Sequence, residues 1–483
     1  MTDTVVAYSY ARSSGLDLAS GQLDLSTSGG LTQRGLVAHP RFFSGLLTRA
    51  APAAAGLLAV ADVAKARYLD ARPSGYVRDP VVTCNGDRLR FESFSACGGV
   101  YARLDVLQQA LDGEVVDVGT TNVDVNNPLR QALARVGGDD PLHLAVGPDE
   151  VVATTLDGAV VEKKVPLPER WVRGFAEVQV IASGFDLRAE LSAPEAVRFL
   201  RGLPRRGLHW AVPSGRSLRL ASRPVAGAVC LAGPDRLATM LPLLRFATAL
   251  RVYGPAVSGT GMPMAGAWEL ELPGMRYVLT LSPAHNRGFS GEGAVLDDLS
   301  RQTAEADADL VGMLLAFEPR LDADLLAEQS GLSRERVRAA LTQLGTAGRV
   351  GYDVAEAAHF HRELPYDAGR ALAANPRLRS AKDLMARGLV VFTAPGVATV
   401  NEHRRVRLDP AGPTCTCPWW TDYRGTRGPC KHILAAQMTE AAAQTAQTGQ
   451  SAHTGETAPT SETAHTSETD QTAHTDQAAG AAR

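Results

Sequence analysis

The sequence predicts a multi-domain α+β protein. Three observations lead there. The chain has 483 residues, and at roughly 100–200 residues per domain that length makes two to four units. Over the first three hundred residues, short alternating segments flanked by turn residues are interleaved with helical spacings, a mixed pattern. Near the C-terminus, three of the six cysteines share one short stretch with a histidine, which marks a smaller unit of its own.

Hydrophobic residues make up 45% and charged residues 21%, a globular rather than disordered or fibrous composition. The formal net charge is −3. That excludes a chain that coats nucleic acid by bulk charge and leaves a local basic patch open. The lysines are Lys65, Lys163, Lys164, Lys382 and Lys431. The basic character therefore rests on arginine, a bias of GC-rich coding that is not in itself a nucleic-acid signal. The chain opens Met-Thr-Asp, without the basic and apolar regions of a signal peptide. Its longest nearly apolar run, 50–61, is about half a bilayer span, and Pro52 interrupts it. A soluble, cytoplasmic protein is expected. Cys84, Cys97 and Cys230 are scattered and read as core thiols rather than a disulfide scaffold.

Residues 1–300 are expected to form an α+β body of one or two domains. Segments 151–155 and 159–163 flank Asp157-Gly158, and 268–272 and 275–281 flank Pro273-Gly274, two hairpin signals. Ser192-Ala-Pro-Glu195 is a capping-box pattern before an apolar run. Helical spacing is read at 104–111 and 129–136. The Ala-rich stretch 43–68 is expected to be helical apart from Pro52.

Residues 301–365 read as a second unit. Leu310, Met313, Leu314 and Phe317 mark an amphipathic helix. A second helix over 322–330 and the turn residue Gly331 follow. Ser333 then caps a third helix, whose Val337, Leu341 and Leu344 face inward. An extended stretch begins at Arg349. This order resembles a winged helix-turn-helix. In a DNA-binding version Arg334, Arg338 and Thr342 would lie on the outer face, at i, i+4 and i+8; a solvated face used for protein contacts is the alternative. His359 and His361 share one face of a strand but lack further ligands.

The third unit spans 381–440, with strands read at 389–393, 397–401 and 406–409 and a helix at 429–443. Between them lies Cys415-x-Cys417, twelve residues, then Cys430-x-His432. Zinc prefers four tetrahedral ligands drawn from thiolate and imidazole. Two close pairs supply them while ordering little chain. Pro429 suits the first turn of a helix, so Cys430 and His432 sit at a helix N-terminus, which favours thiolate over thiol. Four protein ligands close the site, so the metal is expected to be structural rather than catalytic. Trp419, Trp420 and Tyr423 in the ligand loop either cover the site and pack on Ile433 and Leu434, or stack on a partner.

Cys-x-Cys-Pro-aromatic, a polar loop, then Pro-Cys-Lys-His-Ile-Leu-Ala resembles the SWIM zinc-finger family over about forty residues. The resemblance implies a β-hairpin followed by a helix, a small ββα module with a Cys₃His zinc site. It also extends to the arrangement of bacterial SWIM proteins encoded beside an AAA-type ATPase and a von Willebrand A-type protein. That implies a protein partner of one of those kinds.

Residues 377–432 carry ten basic and four acidic side chains. Such a local surplus can hold phosphates, dock an acidic protein or simply face solvent. Arg404, Arg405, Arg407, Arg424, Arg427 and Lys431 are therefore candidate contacts for DNA, RNA or a protein, with Arg334 and Arg338 in the second unit. No lysine follows a glycine, so no Walker A loop exists, and no His-Glu-x-x-His occurs. The glycine-rich stretches 254–261 and 288–293 read as tight turns. A non-enzymatic zinc-binding interaction protein is expected, with a DNA-binding regulator as the alternative. Residues 441–483 hold no large apolar side chain and contain near-repeats such as SETAHT and SETDQT, so a disordered tail is expected there.

Overall fold

A computed structural model describes residues 15–17, 22–24, 30–32, 35–37, 41–68, 80–167, 169–255, 262–300, 304–364, 375–409 and 411–453. Two short ladders come first, β1 (Gly15–Asp17) with β2 (Gln22–Asp24) and β3 (Gly30–Thr32) with β4 (Gly35–Val37). Next are β5 (Phe43–Leu47), α1 (Ala50–Lys65), β6 (Val81–Cys84), β7 (Arg88–Phe94), β8 (Val100–Leu107), β9 (Leu111–Val115) and β10 (Gly119–Asn122). They lead to α2 (Asn127–Arg135), β11 (His143–Val146), β12 (Glu150–Thr155), β13 (Gly158–Lys163), α3 (Glu169–Ala182), β14 (Phe185–Ser192) and α4 (Ala193–Arg201). The body closes with β15 (Leu208–Ser214), β16 (Ser217–Ala221), β17 (Val229–Ala232), β18 (Ala249–Pro255), β19 (Gly266–Leu272), β20 (Met275–Leu281) and the single turn α5 (Leu296–Leu299).

These strands make an eight-stranded antiparallel sheet, β10-β6-β7-β8-β20-β19-β18-β14. A five-stranded sheet, β13-β12-β11-β5-β9, and a three-stranded sheet, β16-β15-β17, complete the body. The mixed α/β class with several sheets is as expected. Both turn-flanked hairpins form, β12 with β13 and β19 with β20.

Two helical readings are corrected. Residues 104–111 are not an α-helix: 104–107 belong to β8, which pairs with β7 on one side and β20 on the other, and a single 3-10 turn at Gln108–Ala110 follows. Ala102, Leu104 and Val106 alternate into the core, and that two-residue period outweighs the looser helical spacing. Within 43–68, Phe43–Leu47 is a strand between β11 and β9. The helix starts only at Ala50, with Pro52 in its first turn, where its missing N–H costs nothing.

The two faces of the large sheet differ. Leu89, Phe91, Leu104, Trp268, Leu270 and Leu279 are buried in an apolar core shared with α1, and each large side chain so buried contributes on the order of 1.5–3 kcal/mol. The opposite face is equally buried but carries charges beside a second apolar cluster with Phe94, Tyr101 and Val278: Arg90, Glu92, Arg103, Asp105 and Glu269 are all inaccessible. Such charges persist only if paired.

The partners come from the next unit. Helices α6 (Ala304–Met313), α7 (Ala323–Ser330) and α8 (Arg334–Thr346) are followed by the hairpin β21 (Val350–Asp353) and β22 (Ala358–His361). Asp322 caps α7, and the Ser333 hydroxyl caps α8 by accepting from the Arg336 N–H. Leu321 bridges to His359 of the hairpin, its N–H donating to the His359 carbonyl at 2.7 Å. Asp353 receives Arg90 at 3.0 Å, Arg103 at 2.7 Å and Arg276 at 2.8 Å. Arg362 pairs with buried Glu92. His361 is buried, and its Nδ1 accepts the Phe317 N–H at 2.7 Å, a packing role rather than a metal one.

The chain ends in α9 (Pro376–Ala386), the sheet β23 (Val390–Ala394), β24 (Val397–Val400), β25 (Arg404–Asp409), β26 (Gly412–Cys415), the short α10 (Pro418–Tyr423) and α11 (Lys431–His453). Helix α11 runs past 441, where the tail was expected to begin; its alanines and glutamines favour helix. The expected tail beyond His453 lies outside the described residues. Among the described residues no helix is long and apolar enough to cross a membrane.

Candidate metal centre

The sulfurs of Cys415, Cys417 and Cys430 and a ring nitrogen of His432 lie within 4.8 Å of one another, and all four residues are buried. His432 Nδ1 is 3.9 Å from the sulfurs of both Cys415 and Cys430. A tetrahedron of zinc bonds has edges of about 3.6–3.8 Å, so the donor atoms stand close to the required spacing before any metal draws them in. Among the described residues this is the cluster whose chemistry and spacing suit a metal ion.

Each ligand has its own local support. Cys415 ends β26, whose pairing with β25 sets Cys415 opposite Val406. Cys417 caps α10, its sulfur accepting the Trp420 N–H at 3.4 Å. Cys430 sits just before α11 and accepts the Ile433 N–H at 3.5 Å. Backbone N–H groups thus point at two of the three sulfurs, the arrangement that stabilises thiolate. Without a metal the three sulfurs do not ionise together. A hydrogen bond from the Cys415 thiol holds Cys430 down at about 4, while retaining that proton pushes Cys415 far up. Burial raises Cys417. A bound dication reverses this by taking all three as thiolates.

The site is embedded rather than appended. Cys415, Cys417 and Cys430 share one apolar core with Ile433, Leu434, Ala398 and Val406, and that core also takes in Ala176 of α3, Val295 and Leu296. Trp419 and Trp420 pack against it half-buried. The packing reading of these aromatics is therefore the one observed. Arg377 and Arg427 both lie over the Trp419 ring, at 4.7 and 4.8 Å from its centroid. Arg427 also lies 4.8 Å from the Tyr423 centroid.

The candidate contact residues divide. Arg405, Arg407, Arg424 and Lys431 are exposed. Arg405 and Arg407 project from one face of β25, opposite Thr399 and Val397 of β24. Arg404 is half-buried and donates to the Thr416 carbonyl at 3.4 Å. Arg427 is corrected: its side chain is only 13% exposed and it donates to the Gly291 carbonyl at 2.8 Å. In the helical unit Arg334 is exposed but pairs with Asp324 at 2.7 Å, and Arg338 reaches Asp298 at 3.9 Å. Thr342, expected on the outer face, is buried and donates to Asp298 at 2.8 Å. Helix α8 is covered here from two sides: Asp298 of α5 takes the Thr342 hydroxyl, and the Gln179 amide of α3 donates to the Leu341 carbonyl at 3.2 Å and fills the space beside Gly345.

Sequence reasoning missed the residues that dock this module: Arg377, Glu177 and the Gly291–Gly293 turn. The available signal was the glycine-rich stretch 288–293. Arg377 donates to the carbonyls of Arg427 at 2.6 Å, Pro429 at 3.2 Å and Gly291 at 3.1 Å.

The family model for the SWIM zinc finger matches residues 405–436. The chain thus contains a SWIM zinc finger, and its four ligands form a zinc site. No curated protein matches the chain. Among solved structures, proliferating cellular nuclear antigen from Entamoeba histolytica is 11% identical, over 50% of this chain and 98% of that one, with a TM-score of 0.32. The PCNA2-PCNA3 complex from Sulfolobus tokodaii is 10% identical, over 50% of this chain and 99% of that one, with a TM-score of 0.35. At such scores the likeness supports no functional statement.

Proposed function

We infer that the protein is a non-enzymatic, zinc-stabilised interaction protein whose SWIM module offers the exposed face of β25 to a macromolecular partner. One observation carries this reading. The metal site is closed and buried, so the chemistry left at the module's surface is recognition, and Arg405 and Arg407 stand exposed side by side on one sheet face. A protein partner is favoured over nucleic acid. The bacterial resemblance implies an AAA-type ATPase or a von Willebrand A-type protein.

Residues 304–361 are read as a winged helix used as a brace rather than a reader. The support is the order of three helices and a hairpin, with the Leu321–His359 bridge. Thr342 on its third helix is buried, and Asp353 on its hairpin is held by three arginines. A regulator that uses the helical unit to read a major groove is therefore disfavoured. Nucleic-acid binding by the zinc module remains the second reading.

Affinity capture with the full chain tests the choice, comparing wild type with R405E/R407E. The expected result is a protein partner retained by wild type and lost by the variant. A salt-sensitive shift of DNA or RNA by the full chain, abolished in the same variant, would replace the protein partner with nucleic acid.

A further inference from the structure

The ligand loop 418–429 joins the two zinc-ligand pairs, and the same loop is what the body grips. At its ends stand Cys417 and Cys430. From within it Tyr423 and Arg427 meet the body turn 287–294: Arg427 on the Gly291 carbonyl at 2.8 Å, and Arg287 at 5.9 Å from the Tyr423 centroid. Arg377 ties the two together by bonding Gly291 on one side and Arg427 and Pro429 on the other.

The backbones themselves touch. Gly428 has φ +67°, and a Cβ there would lie 2.1 Å from the Gly293 carbonyl oxygen. Gly293 has φ +80°, and a Cβ there would lie 2.0 Å from the Arg377 guanidinium. A side chain at Gly428 would strike backbone and one at Gly293 would displace Arg377, and both positions hold a left-handed φ that favours glycine. The body side of this joint is itself pinned, because buried Glu177 accepts the N–H groups of Gly293 and Ala294.

We propose that zinc binding and docking of the SWIM module onto the body are one coupled event, transmitted through the ligand loop. With its ends drawn together by the metal, the loop presents Arg427, Gly428 and Tyr423 in the one arrangement that the 287–294 turn accepts. With its ends released, the loop samples many arrangements and the joint opens. Coupling of this kind is reciprocal: whatever factor zinc adds to docking, docking adds to zinc affinity. The inference concerns the joint alone and holds whichever partner β25 meets.

The experiment uses the full chain. Zinc affinity is measured by competition with a chromophoric chelator for wild type, R427A and G428A. Hydrogen exchange at 287–294 is measured with and without chelator. The expected results are a loss of zinc affinity of about 10-fold in both variants and faster exchange at 291–294 when wild type is stripped of metal, with β7 and β8 still protected. Zinc affinity within twofold of wild type in both variants, or exchange at 291–294 unmoved by chelation, overturns the coupling. If R427A loses protection in β7 and β8, G428A decides alone, since it alters no charge. If both lose it, the chelation arm on wild type decides.

Discussion

The carboxylate of Glu177 accepts the backbone N–H of Gly293 at 2.8 Å, and its second oxygen accepts that of Ala294 at 2.7 Å. The group lies on α3, at the seam where the SWIM module meets the body. Burial raises it to about 7, against the lowering effect of the two N–H groups and of Arg377, and Glu292 nearby adds to the rise.

This makes stability pH-dependent. Between the ordinary carboxylate pKa and about 7, the unfolded chain has lost the Glu177 proton while the folded chain keeps it. The folded state then binds more protons, so stability falls as pH rises through that window, by on the order of 3 kcal/mol. Urea denaturation at several pH values between 4.5 and 8 measures it. Glu177→Gln should flatten the profile; an equally steep profile in the variant would assign the effect to another group.

Asp353 works with the opposite sign. Its burial alone would raise it, but Arg103, Arg90 and Arg276 hold it well below the usual range. Its contribution is present above the ordinary aspartate pKa and is lost as pH falls toward its depressed folded value. Asp353→Asn removes one of the two buried carboxylates that Arg90, Arg103 and Arg276 share, leaving Asp105 alone against three cations, and should cost about 3–5 kcal/mol. The exposed Lys163–Glu150 pair is the contrast: Lys163→Ala should move stability by less than about 0.5 kcal/mol. Equal losses in the two variants would contradict the clamp.

Cys430→Ala should abolish zinc binding and loosen 415–436 together. Elemental analysis should find one zinc per wild-type chain and none in the variant, with amide exchange in β26 and the first turns of α11 accelerated. A metal-free variant with unchanged exchange would mean that the apolar core alone, Ile433 and Leu434 included, holds the module.

Arg405→Glu with Arg407→Glu should leave stability within about 0.5 kcal/mol of wild type, because both side chains are exposed. Arg427→Glu should destabilise the seam, since it places an acid beside Glu292, whose own carboxyl is already raised by burial. Thermal denaturation separates the two: a large drop for the β25 double variant would show that its arginines are structural.

Legibility in the sequence followed distance along the chain. The zinc ligands were readable because the metal's demands are written into two tripeptides, Cys415–Cys417 and Cys430–His432. The hairpins were readable from Asp157-Gly158 and Pro273-Gly274. By contrast, Arg90, Arg103 and Asp105 alternate with apolar residues like a solvated sheet face. They are buried because Asp353 arrives from 250 residues beyond Arg103. Arg334, Arg338 and Thr342 share a helical stripe by spacing, as read. No local pattern announces that Gln179 of α3 will cover the end of that helix.

The crossing of Gly428 and Gly293 has one more implication. The crossing itself is two bare backbones, but titratable groups flank it: the Glu177 carboxylate holds the Gly293 N–H, and Glu292 stands one residue before it. Cys430 stands two residues beyond Gly428, as Thr426 stands two before it. A signal can therefore reach this joint from two sides, through the metal's ligands at the ends of the loop and through the Glu177 proton on the body.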